Sequence, residues 1–296
     1  MGYPRVSTLS NENLELSGDV DLEQLFHLRV GGLTVLGPCN GILCLSGAPS
    51  LTYGEREFDD YELLVLWNPA TRESKIPPTI HRQLDMPDLT STFGFGFDPN
   101  TNDYKVVRIL NFDSQCEVLV YSLSADSWRV IDSSPNPSYF IRSTCFPSYL
   151  NGFHHWWGYV KKDNMKHQFL ISFDMGNEVF QEVPLPPTEE YSCGGQIAVI
   201  NESVALIREL ERGRYEKWVL DDSGVERSWT KKLTMVLPSL WHLTQLRGDD
   251  LVVLSDSDRC LVSYDPTTQQ LWDLQIYDAG FPQLFSYTES LVSLNG

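Results

Sequence analysis

One object recurs along this chain: an apolar strand, a short polar turn, and a return strand that carries a bulky residue. The first copy, Leu63–Pro78, reads LLVLWNPATRESKIPP. Val65, Trp67 and Ile76 are strand formers, and Asn68-Pro69-Ala70-Thr71 is a tight turn in which proline presets φ and Asn bonds its own backbone. The later copies are EVLVYSLSADSWRVIDSSP (117–135), QFLISFDMGNEVFQEVPLP (168–186), YEKWVLDDSGVERSWTKKLTM (215–235) and LVSYDPTTQQLWDLQIY (261–277). Their first strands end at Trp67, Tyr121, Phe173, Leu220 and Tyr264, so successive copies lie 44 to 54 residues apart. Their return strands carry Ile76, Trp128, Phe180, Trp229 and Trp272.

A second type of hairpin sits between these. Examples are PCNGILCLS (38–46) and FPSYLNGFHHWWGY (146–159), both turning at Asn-Gly, the strongest short hairpin signal. Each unit is therefore four strands in about 50 residues, which is the sequence signature of a propeller blade. Helical periodicity is nearly absent; only 20–28 hints at it. The expectation is all-β: a β-propeller of six four-stranded blades. Five blades fall at 33–78, 92–135, 142–187, 193–235 and 240–277. The sixth begins at 284–295 and is completed by N-terminal strands within 1–32. Closing the ring removes the open sheet edges that invite aggregation. Trp67, Trp128, Phe180, Trp229 and Trp272 are expected to anchor the blades.

Charge narrows the partners. The formal net charge is −18 over 296 residues, with an isoelectric point near 4.6. That disfavours a phosphate backbone as ligand, so no nucleic acid is expected. No apolar run reaches the roughly 18 residues of a membrane span, and the polar start of the chain does not read as a secretory leader. The six cysteines form no CxxC pair. Reduced thiols in a cytoplasmic or nuclear protein are the expectation.

Short turns assign one face of the ring and longer connections the other. Binding residues collect on loops carried by a rigid scaffold, which makes the long-connection face the expected binding face. Its acidic tract Glu55, Glu57, Asp59, Asp60 and Glu62, with Glu189 and Glu190, is the candidate client-binding set. No catalytic residue, metal site or cofactor is expected. Gly94-Phe95-Gly96 lacks the third glycine and the following helix of a dinucleotide loop, and reads instead as a strand running close to its neighbours. His154-His155 point to opposite faces of a strand and cannot share a metal; one packed and one exposed ring is expected. Trp156-Trp157 is expected to divide between a blade interface and the surface. A glycan-active propeller would need paired carboxylates, and no such pair stands out.

The motifs GPCNGILCL (37–45), LWNPATRESKIPP (66–78), FGFGFDPNTNDYKVVRI (93–109), VYSLSADSWRVI (120–131), ISFDMGNEVFQEVPLP (171–186), WVLDDSGVERSWTKKLTM (218–235) and YTESLVSLN (287–295) together resemble the plant F-box-associated interaction domain. The last two are similar to its S-locus F-box and S-locus F-box-like branch. The resemblance implies a substrate receptor of a Skp1–cullin–F-box ubiquitin ligase. Its client would be a protein, a basic S-RNase-like one in that branch, and the receptor itself would not be catalytic. Skp1 and cullin would be reached only through an F-box, and no LPxK-type F-box segment occurs in this sequence. The recognition half of such a receptor is therefore expected, or alternatively a free-standing binding propeller without a ligase link.

Overall fold

The hairpins assemble into successive antiparallel sheets. The structure, a computed structural model, describes residues 5–9, 16–21, 30–49, 63–79, 90–112, 115–136, 138–142, 146, 148–163, 165–187, 194–211, 213–222, 227–236, 241–247, 250–255, 260–265, 268, 270–277, 283 and 285–295. A two-stranded sheet pairs β1 (Arg5–Leu9) with β2 (Leu16–Asp21). The first full blade is β3 (Val30–Cys39), β4 (Ile42–Pro49), β5 (Leu63–Asn68) and β6 (Glu73–Lys75). The second is β7 (Thr90–Asp98), β8 (Asp103–Phe112), β9 (Gln115–Ser122) and β10 (Ser127–Ile131). In the third the innermost strand is broken into β11 (Phe140–Arg142) and β12 (Tyr149–Leu150). Both pair with β13 (Phe153–Lys162), followed by β14 (Met165–Asp174) and β15 (Val179–Pro184). The fourth is β16 (Gly194–Ile200), β17 (Ser203–Glu211), β18 (Arg214–Asp221) and β19 (Ser228–Val236). The fifth is β20 (Trp241–Arg247), β21 (Asp250–Ser255), β22 (Cys260–Asp265) and β23 (Gln270–Tyr277). The architecture is a β-propeller.

The core lies between blades, and strand alternation builds it. On β8, Val106 packs toward the first blade and Val107 toward the third. On β13, Trp156 faces the second blade and Trp157 the fourth. Both indoles are buried, which corrects the expectation that one lies at the surface. His154 and His155 are likewise both buried, and neither is the exposed ring expected. The reason is shared: a central strand of a propeller has a neighbouring sheet on each side, so opposite faces are both interior.

Gly94 and Gly96 owe their presence to this packing. A Cβ on Gly94 would stand 2.4 Å from the Trp156 ring and 2.8 Å from His154, and one on Gly96 would stand 2.4 Å from the Tyr149 ring. The GFG segment is a slot for the rings of the next blade. Trp156 Nε1 donates to the Phe93 carbonyl at 2.9 Å across the same seam. An ion cluster closes it further out. Lys105 pairs with Asp98 at 2.6 Å and Glu178 at 2.7 Å and donates to the Met175 carbonyl, while Arg129 also pairs with Glu178. Burial pushes the Asp98 carboxyl up, but hydrogen bonds from Lys105, Thr101 and the Asn100 N–H prevail and hold it below the usual range.

The C-terminal residues 285–295 hold no strand among the described residues. They run along the first blade instead. Phe285 and Tyr287 pack on the cluster of Leu43, Leu45, Val65 and Trp67, which Val20 of β2 also meets. Among the described residues, no N-terminal strand pairs with a C-terminal one, as closure was expected to require; both ends come to the first blade. Asn68 ties this tract down. Its Nδ2 donates to the carbonyls of Ser290 (3.0 Å) and Val292 (2.7 Å), while Oδ1 accepts from the Ala70 N–H (3.0 Å). Asn68→Ala is expected to cost about 2–3 kcal/mol, roughly 1 kcal/mol for each bond lost by this buried amide. Asn68→Asp keeps the turn bond and loses only the tract. Protease cleavage within 285–295 should accelerate in both variants; an unchanged cleavage rate in Asn68→Asp would dismiss the tether.

Candidate functional site

Antiparallel order sends every first-to-second and third-to-fourth turn of the blades to one face. The sequence supplies residues that turn cheaply. Asn40, Asn102, Asp126, Asn151 and Asn201 all adopt the left-handed conformation, with φ between 47° and 56°, which Asn and Asp tolerate better than other side chains. Side-chain caps recur at the preceding strand ends. Asp98 Oδ1 accepts from the Asn100 N–H at 2.8 Å, Asp174 Oδ1 from the Gly176 N–H at 2.9 Å, and Asp265 Oδ1 from the Thr268 N–H at 3.3 Å.

Between the first two blades, this face opens into a cleft of about 660 Å³. Its walls are the Asn40 turn and Lys75 on one side, Asn102–Tyr104 and Leu123–Asp126 on the other, and Val292–Asn295 along the rim. Phe97 and Tyr104, edge to face at 5.1 Å, supply the apolar part. Asp103 is held by Ser122 Oγ (2.5 Å), Ser124 Oγ (2.9 Å) and the Ser124 N–H (3.0 Å). Asp126 accepts from Lys75 Nζ at 2.6 Å and Tyr121 Oη at 2.9 Å, and these bonds, Lys75 first, hold its carboxyl below the usual range. Glu73 accepts from the Leu294 N–H at 2.8 Å and so fixes the rim. The cleft can receive a polar chain segment. Among the described residues, no group of three His, Cys, Asp or Glu could hold a metal ion.

The buried histidines do not form a reactive pair. His154 Nε2 lies 3.1 Å from Ser148 Oγ, and its Nδ1 lies against the Phe95 backbone, 3.3 Å from N and 3.1 Å from O. His155 Nδ1 lies 2.7 Å from Ser172 Oγ on the facing strand. Burial holds them down to about 4 and about 3 respectively, so both rings are neutral at pH 7.

Glu55, Glu57, Asp59, Asp60 and Glu62 belong to the connection between β4 and β5, and Glu189 and Glu190 to that between β15 and β16; all seven lie outside the described residues. The five anchor positions are described. Trp67 is buried in the first blade. Trp128 and Trp229 are half-buried, and Phe180 packs on Phe173 at 4.9 Å. Trp272 is 48% exposed. Trp128 Nε1 donates to the Pro78 carbonyl at 2.9 Å, and Trp229 Nε1 to the Pro184 carbonyl at 3.1 Å. Each indole thus binds the proline tract that ends the preceding blade. The signal was present as IPP and PLPP after the hairpins, but nothing local pairs a tryptophan with prolines 45 to 50 residues away. The cleft had no such signal, because its walls come from five separate parts of the chain.

Comparison with known proteins follows the same organisation. The profile of the F-box associated beta propeller domain matches residues 14–294. F-box protein CPR1 of Arabidopsis thaliana is 27% identical, the match covering 93% of this chain and 68% of that protein. F-box protein At3g07870, from the same plant, is 26% identical over 85% of this chain and 67% of its own length. The chain thus spans about two-thirds of each relative. Among solved structures, the SapL1 lectin bound to alpha methyl fucoside aligns with 81% of this chain and 77% of its own, at 10% identity and a TM-score of 0.45. That likeness is too distant to bear on function. The profile match, which spans nearly the whole ring, shows that the chain belongs to the F-box associated β-propeller family.

Proposed function

We propose that this propeller is the substrate-recognition part of a Skp1–cullin–F-box ubiquitin ligase. It would hold a client protein while an F-box elsewhere in the gene product contacts Skp1. The observation that carries the reading is the family match over 14–294, together with relatives that are F-box proteins and extend beyond the matched region. A ring tied blade to blade by Lys105, Trp128 and Trp229 is suited to presenting loops rigidly, and rigid presentation reduces the entropy lost on binding. The ring acts by binding, not by catalysis. The net charge of −18 and the tract Glu55–Glu62 favour a client with a basic surface, of which an S-RNase is one kind. The site of action would be the cytoplasm or nucleus.

The test is affinity purification of the full native gene product from plant tissue. Skp1 and cullin should co-purify, and a client should accumulate when the proteasome is inhibited. Reversing Glu55, Glu57, Asp59 and Asp60 to Lys should weaken client capture and leave Skp1 in place. Absence of Skp1 from the purified complex would overturn the ligase reading.

A further inference from the structure

The hairpin β13–β14 carries a basic surface in a chain whose net charge is −18. Its register places Phe140 opposite Tyr159, Arg142 opposite Trp157, Tyr159 opposite Gln168 and Lys161 opposite Lys166. Side chains of directly paired residues, and those two apart along a strand, share a face. Arg142, Phe140, Tyr159, Lys161 and Lys166 therefore lie on one face of the third blade. Trp157, level with Arg142, and Leu170 continue that face into the seam with the fourth blade. Above the seam the face is open. Arg142, Lys161 and Lys166 are exposed, and Phe140 is 44% exposed.

The rings form a ledge. Phe140 and Tyr159 have centroids 5.2 Å apart, Tyr159 and Trp157 5.4 Å, and Lys166 Nζ stands 4.9 Å above the Tyr159 ring. Among the described residues, no carboxylate pairs with Arg142, Lys161 or Lys166. Glu182, the nearest acid along the next strand, points to the other face, where it accepts from Tyr139 Oη at 2.7 Å. Lys161 and Lys166 are directly opposed like charges, an arrangement that costs the hairpin stability. A chain of net charge −18 has thus placed three cations on one face, with no carboxylate partner among the described residues and near the exposed Phe140 ring. Charge complementarity names the occupant.

We propose that this ledge docks an acidic segment of the client protein. Its carboxylates would meet Arg142, Lys161 and Lys166, and an apolar side chain would lie on Phe140 and Tyr159. The proposal rests on the recognition reading above and adds a second contact, opposite in sign to the acidic tract. Two patches of opposite sign fix a client's orientation better than one.

The probe is a fluorescent peptide of about a dozen Asp, Glu and Leu residues, read by anisotropy against the purified chain; a peptide with Lys in place of the acids is its control. Wild type should bind the acidic peptide in a salt-dependent manner and ignore the basic one. Arg142→Glu with Lys161→Glu should weaken binding by at least about tenfold, since both charges are reversed at the contact. Lys161→Glu alone should also raise the melting temperature, because it replaces a like-charged cross-strand pair by an opposite one. Lys161→Gln with Lys166→Gln serves where reversal impairs folding, and it too must weaken binding. Equal affinity of wild type and variants, or equal binding of both peptides, would overturn the proposal. So would binding of phosphatidylserine vesicles without binding of the peptide, which would make the ledge a membrane contact. Skp1 co-purification, measured on the same variants in the full gene product, separates the outcomes. A failed peptide result with Skp1 retained refutes only the ledge, and loss of Skp1 from the wild type refutes the ligase reading.

Discussion

Trp156→Ala should destabilise the propeller by about 3–5 kcal/mol, the cost of emptying a fully buried aromatic site. Trp156 has no exposed surface. Its ring fills the slot left by Gly94, packs beside His154 at a centroid distance of 4.6 Å, and bonds the Phe93 carbonyl. Removing it empties the seam between the second and third blades. The seam cannot collapse to compensate, because Gly94 has no side chain and β7 and β13 are held in their own sheets by ladder hydrogen bonds. Urea unfolding should show a lower midpoint with an unchanged denaturant slope. Gly94→Val approaches the same seam from the other side and should cost about 1–3 kcal/mol by overpacking. A Trp156→Ala midpoint within error of wild type would mean that the seam is not closed as described.

The second large effect is on pH. His154 and His155 are held down to about 4 and about 3 by burial, against 6.5 for a free imidazole; for His155 the neighbouring His154 and Arg227 add to the same direction. Their folded values are depressed, so below pH 6.5 the unfolded chain takes up protons that the folded chain refuses. Stability is then fully present above 6.5 and falls as the pH drops toward the folded values. At 1.36 kcal/mol per pH unit, each ring should contribute a loss on the order of 3 kcal/mol by pH 4. The carboxylates of Asp98, Glu178 and Glu216 are also held below the ordinary range, but their contribution is lost only at lower pH. The slope between pH 6.5 and 5 therefore belongs to the histidines. Urea midpoints measured from pH 7.5 to 4 should decline from 6.5 downward. A flat profile to pH 5 would show that neither ring is held down by burial.

Much of the ring was legible in the chain because its determinants are local. Asn40-Gly41 and Asn151-Gly152 turn where Asn-Gly pairs turn, and the Asn68, Asp98 and Asp265 turns follow from an Asx residue placed before proline. Less of the candidate site was legible. Asn40, Asp103, Asp126 and Leu294 share one cleft, yet no spacing in the sequence relates them. The cationic ledge was visible only as scattered Lys161, Lys162 and Lys166; the register of β13 with β11 and β14 put cations and aromatic rings on one face.

The sequence by itself determined the repeating four-strand unit, its turns and the alternation of side chains along each strand. These depend on contacts within a few residues, which propensity and period report directly. Tertiary structure alone decided what each face of a strand meets. Trp156 and Trp157 were bound to point apart, but both became interior because blades flank β13 on either side. The Gly94 slot, the Trp128 bond to Pro78 and the fastening of 285–295 by Asn68 were decided in the same way. Each depends on which sheet comes next around the ring, and a strand's own residues cannot encode its neighbour's shape.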